Sequence, residues 1–256
     1  MNGKAKNISL TKDGRAMPKR NYQKKADVSC VIFSLLRITV ILLGVLIWMA
    51  SAVPAGAKVR VSTFSELSKE LKGKEKKTIV IEDDIIVTKT LTSQGTKILT
   101  SNGCSIKRST SDGKAFYGSL IKVVGGSLSL RGVSLQGGGA VAKGKLYGYL
   151  VDLAGGQLSL RDGTVLKNNK NSSKATDGGG AVRVRSGGTL VLNGGKITNN
   201  SSVAGGAAIR VDRGGSFYMK SGTISDNICV GRSRVSGFEG RGGAICNYGT
   251  DRKSVV

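Results

Sequence analysis

Histidine is missing from the 256 residues, and with it the commonest general base and the commonest metal ligand. Proline occurs only 2 times beside 38 glycines. The glycines keep no three-residue period, which excludes collagen and points to many tight turns between short strands. Aromatic residues make up 5% of the chain, too few for the base-stacking platforms of a nucleic-acid binder. Acidic residues number 16 against 40 Lys and Arg, so the grouped carboxylates of calcium cages and paired acid–base catalysts are scarce. The 4 cysteines show no C-x-x-C spacing, which argues against zinc. Cys30 lies in the N-terminal segment. Cys104, Cys229 and Cys246 read as small core side chains, with a Cys229–Cys246 bridge between neighbouring repeats as the alternative.

What is present is positive charge, a net of +24, and an apolar fraction of 39% that permits a core for one or two domains. Residues 1–57 carry +7 of that charge and Lys58–Thr250 carry +16. Such a field favours polyanions, among them anionic lipid, acidic wall polymers and glycans; a solvated basic surface with no dedicated partner is the plainer alternative.

Residues 1–57 read as an address. A basic stretch to Lys25 precedes an apolar run from Val28 to Ala50 that only Arg37 interrupts. Small-x-small sites follow at Ala50-Ser51-Ala52 and Ala55-Gly56-Ala57, so Ala52 and Ala57 are the candidate signal-cleavage positions. The run is also long enough to span a bilayer, which leaves a retained anchor as the alternative. Either way the remainder is expected outside the cytoplasm, on the cell surface, in the wall or free.

Residues 58–77 hold a predicted capping helix. Thr63 and Glu66 form a capping box, and Phe64, Leu67 and Leu71 share one face that ends near Gly73. Residues 78–250 repeat. Gly125-Gly126-Ser127-Leu128-Ser129-Leu130 is echoed by Gly155-Gly156-Gln157-Leu158-Ser159-Leu160, then by Gly187-Gly188-Thr189-Leu190-Val191-Leu192, then by Gly214-Gly215-Ser216-Phe217-Tyr218-Met219. The steps are 30, 32 and 27 residues. Within a copy the period is two: Val182, Val184, Leu190 and Leu192 are expected inside, Arg183, Arg185, Thr189 and Val191 outside. Each Gly-Gly pair marks one corner with positive φ. A second corner is assigned to Asn168, Asn200 and Asn227, each 13 residues past its Gly-Gly start, where stacked amides can bond along the ladder. Together these predict an all-β parallel solenoid.

The helix-then-strands opening and the G-G-x-L-x-L-x-x-G-x-I-x-x-N repeat over residues 62–250 resemble the pectate-lyase-like right-handed parallel β-helix family. The closest likeness is to adhesin-like repeat proteins displayed on Gram-positive surfaces. The resemblance implies a right-handed fold and leaves activity open, since that fold carries lyases, hydrolases, adhesins and inert stalks alike.

Asp251–Val256 breaks the pattern and matches what GATCGGAAGAGCGTCGTG encodes, a string resembling a sequencing adapter. Residues 251–256 therefore read as a non-native tail on a truncated repeat.

The only acidic cluster, Glu82-Asp83-Asp84, is placed at a turn between Ile81 and Ile85. Asp152 and Arg183 are expected to form a surface ion pair. No residue is nominated as catalytic, cofactor-binding or metal-ligating. The copies differ mainly after the asparagine corner, and solenoid insertions gather on one side, often the binding side. Lys143, Lys145, Lys167, Lys170, Lys174, Arg232, Arg234 and Arg241 would line that edge and meet an anionic cell-wall polymer or host glycan. The expectation is a monomeric, non-enzymatic surface or adhesion module without a cofactor, membrane-bound if the leader is uncleaved and without a nucleic-acid partner. The alternative is the front of a polysaccharide lyase or hydrolase of the β-helix class.

Overall fold

A computed structural model describes residues 58–111, 115–138, 148–171, 179–230 and 243–251. The expectations for residues 1–57, Ala52 and Ala57 included, lie outside them, as do those for residues 252–256. The chain from Lys58 onward is an all-β parallel solenoid, and its strands stack in three main faces.

The first face contains Lys58–Val61, Lys77–Ile81, Thr96–Ser101, Ser127–Arg131, Gly156–Arg161 and the leading parts of Gly188–Thr198 and Ser216–Ser225. The second contains Ile85–Val87, Ser105–Arg108, Ser134–Gln136, Val165–Lys167 and the trailing parts of those two long strands. The third has six strands, Leu91–Ser93, Ile121–Val123, Val151–Leu153, Val182–Val184, Ile209–Val211 and Ile245–Asn247. A small fourth sheet joins Lys170–Asn171, Ser201–Ser202 and Ile228–Cys229. Every pairing among the described residues is parallel, as stacked coils require and antiparallel hairpins do not allow. Lys58–Val61, ahead of the helix, is a strand that pairs with Thr78–Ile81 and opens the stack.

Register explains why a single rung could not stand alone. Leu158 lies between Leu128 and Leu190, and Val182 lies between Val151 and Ile209. All six of these residues have 0–1% of their surface exposed. Rungs spaced about 4.8 Å apart turn such rows into one dry column. Each buried Leu, Ile or Val contributes about 1.5–3 kcal/mol once a neighbour covers it.

A helix, Phe64–Lys72, follows the first strand. Thr63 accepts the Glu66 amide at 3.3 Å, and the Glu66 carboxylate accepts the Thr63 and Ser62 amides at 3.1 and 2.9 Å. Those bonds, from Ser62 first, hold the Glu66 carboxyl below its ordinary range. Leu67 and Leu71 are fully buried against the first rung, and Gln94 donates to the Leu71 carbonyl at 3.1 Å.

One glycine of each Gly-Gly pair has positive φ: Gly126, Gly156, Gly187 and Gly214 at 70–77°. Gly126 shows why the side chain must be absent, because a Cβ there would lie 2.0 Å from the Gly95 carbonyl oxygen.

The asparagine corner departs from the sequence reading by one residue. Left-handed backbone falls on Asn168, Asn199 and Asp226, at φ 57, 54 and 56°. The inward amides belong to Asn169, Asn200 and Asn227. Asn168 is therefore not the equivalent of Asn200. The corner from Leu160 to Val165 holds one residue more than the matching corner from Leu192 to Lys196, which breaks the constant offset from the Gly-Gly pair.

Candidate functional site

The outward side of the third face gathers the described carboxylates and guanidiniums most densely. Aliphatic residues alternate inward there, so every second residue lies on the outward side, where Asp152 is itself buried at 8% exposure. Lys122, Asp152, Arg183 and Arg210 come into one lateral row. Arg185 and Asp212 stand just past the strand ends.

The expected Asp152–Arg183 pair does not form, although the two are register neighbours. Asp152 instead takes a fork from Arg185, Nε at 2.7 Å and Nη2 at 3.2 Å. Arg183 turns the other way, donating to Asp212 at 2.7 Å and to the Tyr149 hydroxyl at 3.0 Å. Arg210 donates to the second Asp212 oxygen at 2.8 Å. One carboxylate thus bridges two guanidiniums, and a bidentate pair suits Arg better than a side-by-side contact.

Aromatic plates complete the array. The Arg183 guanidinium lies 5.8 Å from the Tyr149 ring centre and that of Arg210 lies 5.4 Å from Tyr248. Burial pushes the Asp212 carboxyl up, but hydrogen bonds from Arg210 and Arg183 outweigh it and hold it below the ordinary carboxylate range. The hydrogen bond to Asp152 raises the Arg185 guanidinium further above its ordinary value. Both carboxylates are engaged as acceptors for cations, an arrangement that locks neighbouring rungs together.

The Glu82-Asp83-Asp84 turn sits where expected, between two strands, and its Glu82 and Asp84 are likewise engaged. Arg60 pairs with Glu82, and Lys107 pairs with Asp84. Asp84 also accepts the Ser105 amide at 2.7 Å. The Lys107 bond, then the Ser105 bond, lowers the Asp84 carboxyl. Among the described residues no group of three or more potential metal ligands converges. Cys104, Cys229 and Cys246 are free thiols, and Cys229 accepts the Gly205 amide at 3.1 Å.

Of the eight edge cations, the structure describes Lys167 and Lys170. They flank the Asn168-Asn169 corner, Lys167 ending a second-face strand and Lys170 starting one of the small sheet. Lys170 borders a recess of about 390 Å³ with Asn168 and Asn199. Lys143, Lys145, Lys174, Arg232, Arg234 and Arg241 lie outside the described residues.

Two strand cations are internal. Arg108 is 4% exposed. It donates to the carbonyls of Phe116, Gly118, Gly148 and Tyr149 and to the Asn169 amide oxygen, the last at 3.2 Å. It reaches the base of the asparagine column because the intervening rung has Gly137 and Gly138 in place of Asn. A Cβ on Gly137 would stand 2.4 Å from Asn169 Oδ1. Lys97 is fully buried in an inward row and donates to the Glu75 carbonyl, and burial lowers its ammonium pKa.

Arg108, whose Nη1 and Nη2 donate to four backbone carbonyls and to the Asn169 amide oxygen, carries no signal in the sequence. The Asp212 bridge had a faint signal in the Arg-x-Arg and Arg-x-Asp pairs at 183–185 and 210–212. Comparison with family models, with curated proteins and with solved structures returns no match.

Proposed function

We propose that the chain is an exported cell-surface solenoid, a structural or adhesion module that works without catalysis and as a monomer. The observation that carries this reading is the use of charge on the third face: Asp152 and Asp212 are consumed by Arg185, Arg183 and Arg210. Outward charges there hold rungs together. The apolar run before Ala52 and Ala57 supports export, and the resemblance to adhesin-like β-helix proteins supports surface display.

The solenoid is right-handed in this reading, as strand–crossover–strand units overwhelmingly are. The helix Phe64–Lys72 closes its first rung, supported by the burial of Leu67 and Leu71. The edge that holds Lys167 and Lys170 contacts an anionic glycan or wall polymer.

Mass spectrometry of the mature N-terminus from fractionated cells tests export. A surface-fraction protein beginning after Ala52 or Ala57 agrees with it, and an intact leader in the cytoplasm refutes it. Binding to isolated wall material at ~150 mM salt, with the eight edge cations changed to Gln, tests the contact. Unchanged binding removes the edge from consideration.

A further inference from the structure

We propose that the outward side of the first face is a separate binding surface, a trough for a linear phosphodiester polymer of the polyol-phosphate type laid across the rungs. Its location and its residues differ from the edge discussed above. The export reading bears only on where such a polymer would be met, not on whether it binds.

Register builds the trough. Thr96, Ser127, Gln157, Thr189 and Ser216 stack in one outward row. Ser129, Ser159, Val191 and Tyr218 form the next. Arg131 and Arg161 end their strands beyond these rows, and Asn193 and Lys220 stand at the register shift of the two long strands. Two recesses, of about 620 and 410 Å³, both include Gln157, Ser159 and Arg161, so they form one continuous depression. It crosses successive strands, and a ligand that fills it must be extended along the stack, with a rung every ~4.8 Å.

Charge selects the ligand class. Arg131, Arg161 and Lys220 form no ion pair among the described residues, and no Asp or Glu stands in any of the three rows. The third face is the opposite case, with Arg183, Arg185 and Arg210 each paired to a carboxylate. Unneutralised cations on a carboxylate-free surface attract a polyanion.

Hydrogen-bonding chemistry narrows it further. A neutral glycan presents many hydroxyl donors and is met by carboxylate acceptors and by aromatic plates for its ring faces. The trough has Tyr218 as its one aromatic and no carboxylate. Its hydroxyls, guanidiniums and ammonium are donors to phosphate oxygens. A row of cations running beside two rows dominated by hydroxyl and amide side chains suits a chain whose phosphates face one side and whose polyol spacers lie over the other. Gln157 already donates to the Ser159 hydroxyl at 3.0 Å, and Arg161 to that of Ser129 at 3.3 Å. The donors are therefore partly ordered before a ligand arrives, which lowers the entropic cost of binding.

The test uses the full chain and purified polyglycerol phosphate at ~150 mM salt, read by calorimetry. The triple variant Arg131→Gln, Arg161→Gln, Lys220→Gln should bind at least ~10-fold more weakly. The pair Lys167→Gln, Lys170→Gln should change affinity less than ~2-fold. Arg131→Gln and Lys220→Gln, both exposed, are measured singly in case the triple variant fails to fold, and each should weaken binding. Absent binding, or binding unaffected by these changes, overturns the proposal. So does equal or tighter binding of polygalacturonate or single-stranded DNA. Loss with the Lys167/Lys170 pair and not with the triple variant overturns it too, while leaving the edge reading intact.

Discussion

Asn200 Oδ1 accepts the backbone amide of Asn169 at 3.0 Å, one rung away. Asn227 Oδ1 repeats the contact to the Asn200 amide at 3.1 Å, and the Asn200 side chain also donates to the Leu166 and Thr198 carbonyls. A buried side chain thus completes the backbone bonding of a corner that no strand ladder reaches. Asn200→Ala should cost ~2–4 kcal/mol, because it orphans an amide and two carbonyls at once. Asn168→Gly, one residue from the equivalent Asn169, should cost no more than ~0.5 kcal/mol, since glycine adopts φ 57° freely. Denaturant melts of both variants check the one-residue register; equal losses would contradict it.

Asp212→Asn should destabilise more than Asp152→Asn. The first strands two guanidiniums whose side chains are 15% and 12% exposed, and the second strands one that is 40% exposed. A cost of ~2–4 kcal/mol against ~1 kcal/mol is expected, read as thermal midpoints at neutral pH.

Acid should unfold the protein through named groups. The folded-state pKa of Asp212, Asp84 and Glu66 lies below the ordinary 3.8 or 4.5. Their stabilisation is complete above those ordinary values and disappears as pH falls through the lowered ones. The melting temperature should be flat from pH 6 to 5 and fall below about pH 4.

Lys97 behaves in the opposite sense. Burial lowers its pKa from 10.5, so the folded state binds fewer protons than the unfolded chain between the two values. Stability contributed by this site rises with pH across that window. Lys97→Met should raise the thermal midpoint at pH 7 and remove the alkaline rise. A gain of ~1–3 kcal/mol is expected from replacing a buried cation by an apolar chain of similar length.

Gly126→Ala should cost at least ~3 kcal/mol. It combines φ 70° with a contact of 2.0 Å to the Gly95 oxygen, and the rigid backbone leaves neither room to relax.

The inward rows were legible in the sequence because alternation at Val182, Val184, Leu190 and Leu192 needs only a period of two, and the structure buries all four. The helix was legible because Thr63 and Glu66 are local partners. The asparagine register was not, since an extra residue between Leu160 and Val165 shows only when rungs are laid side by side. Ion partners were hidden for a similar reason: Asp152 and Arg183 are neighbours by position, and side-chain length and fork geometry decide otherwise. Arg108 and Lys97 carry charge into inward rows, where only the surrounding carbonyls reveal that the site suits them.

The main-chain bonds between rungs, such as Leu120 to the Tyr149 carbonyl at 3.1 Å and Leu150 to that of Ala181 at 2.9 Å, run parallel to the stacking direction. Tension applied lengthwise passes through every junction in series, so the weakest parts first and the rungs separate one junction at a time. Sideways load must shear many junctions together. A solenoid of this build yields gradually when stretched along its stack and resists load applied across it.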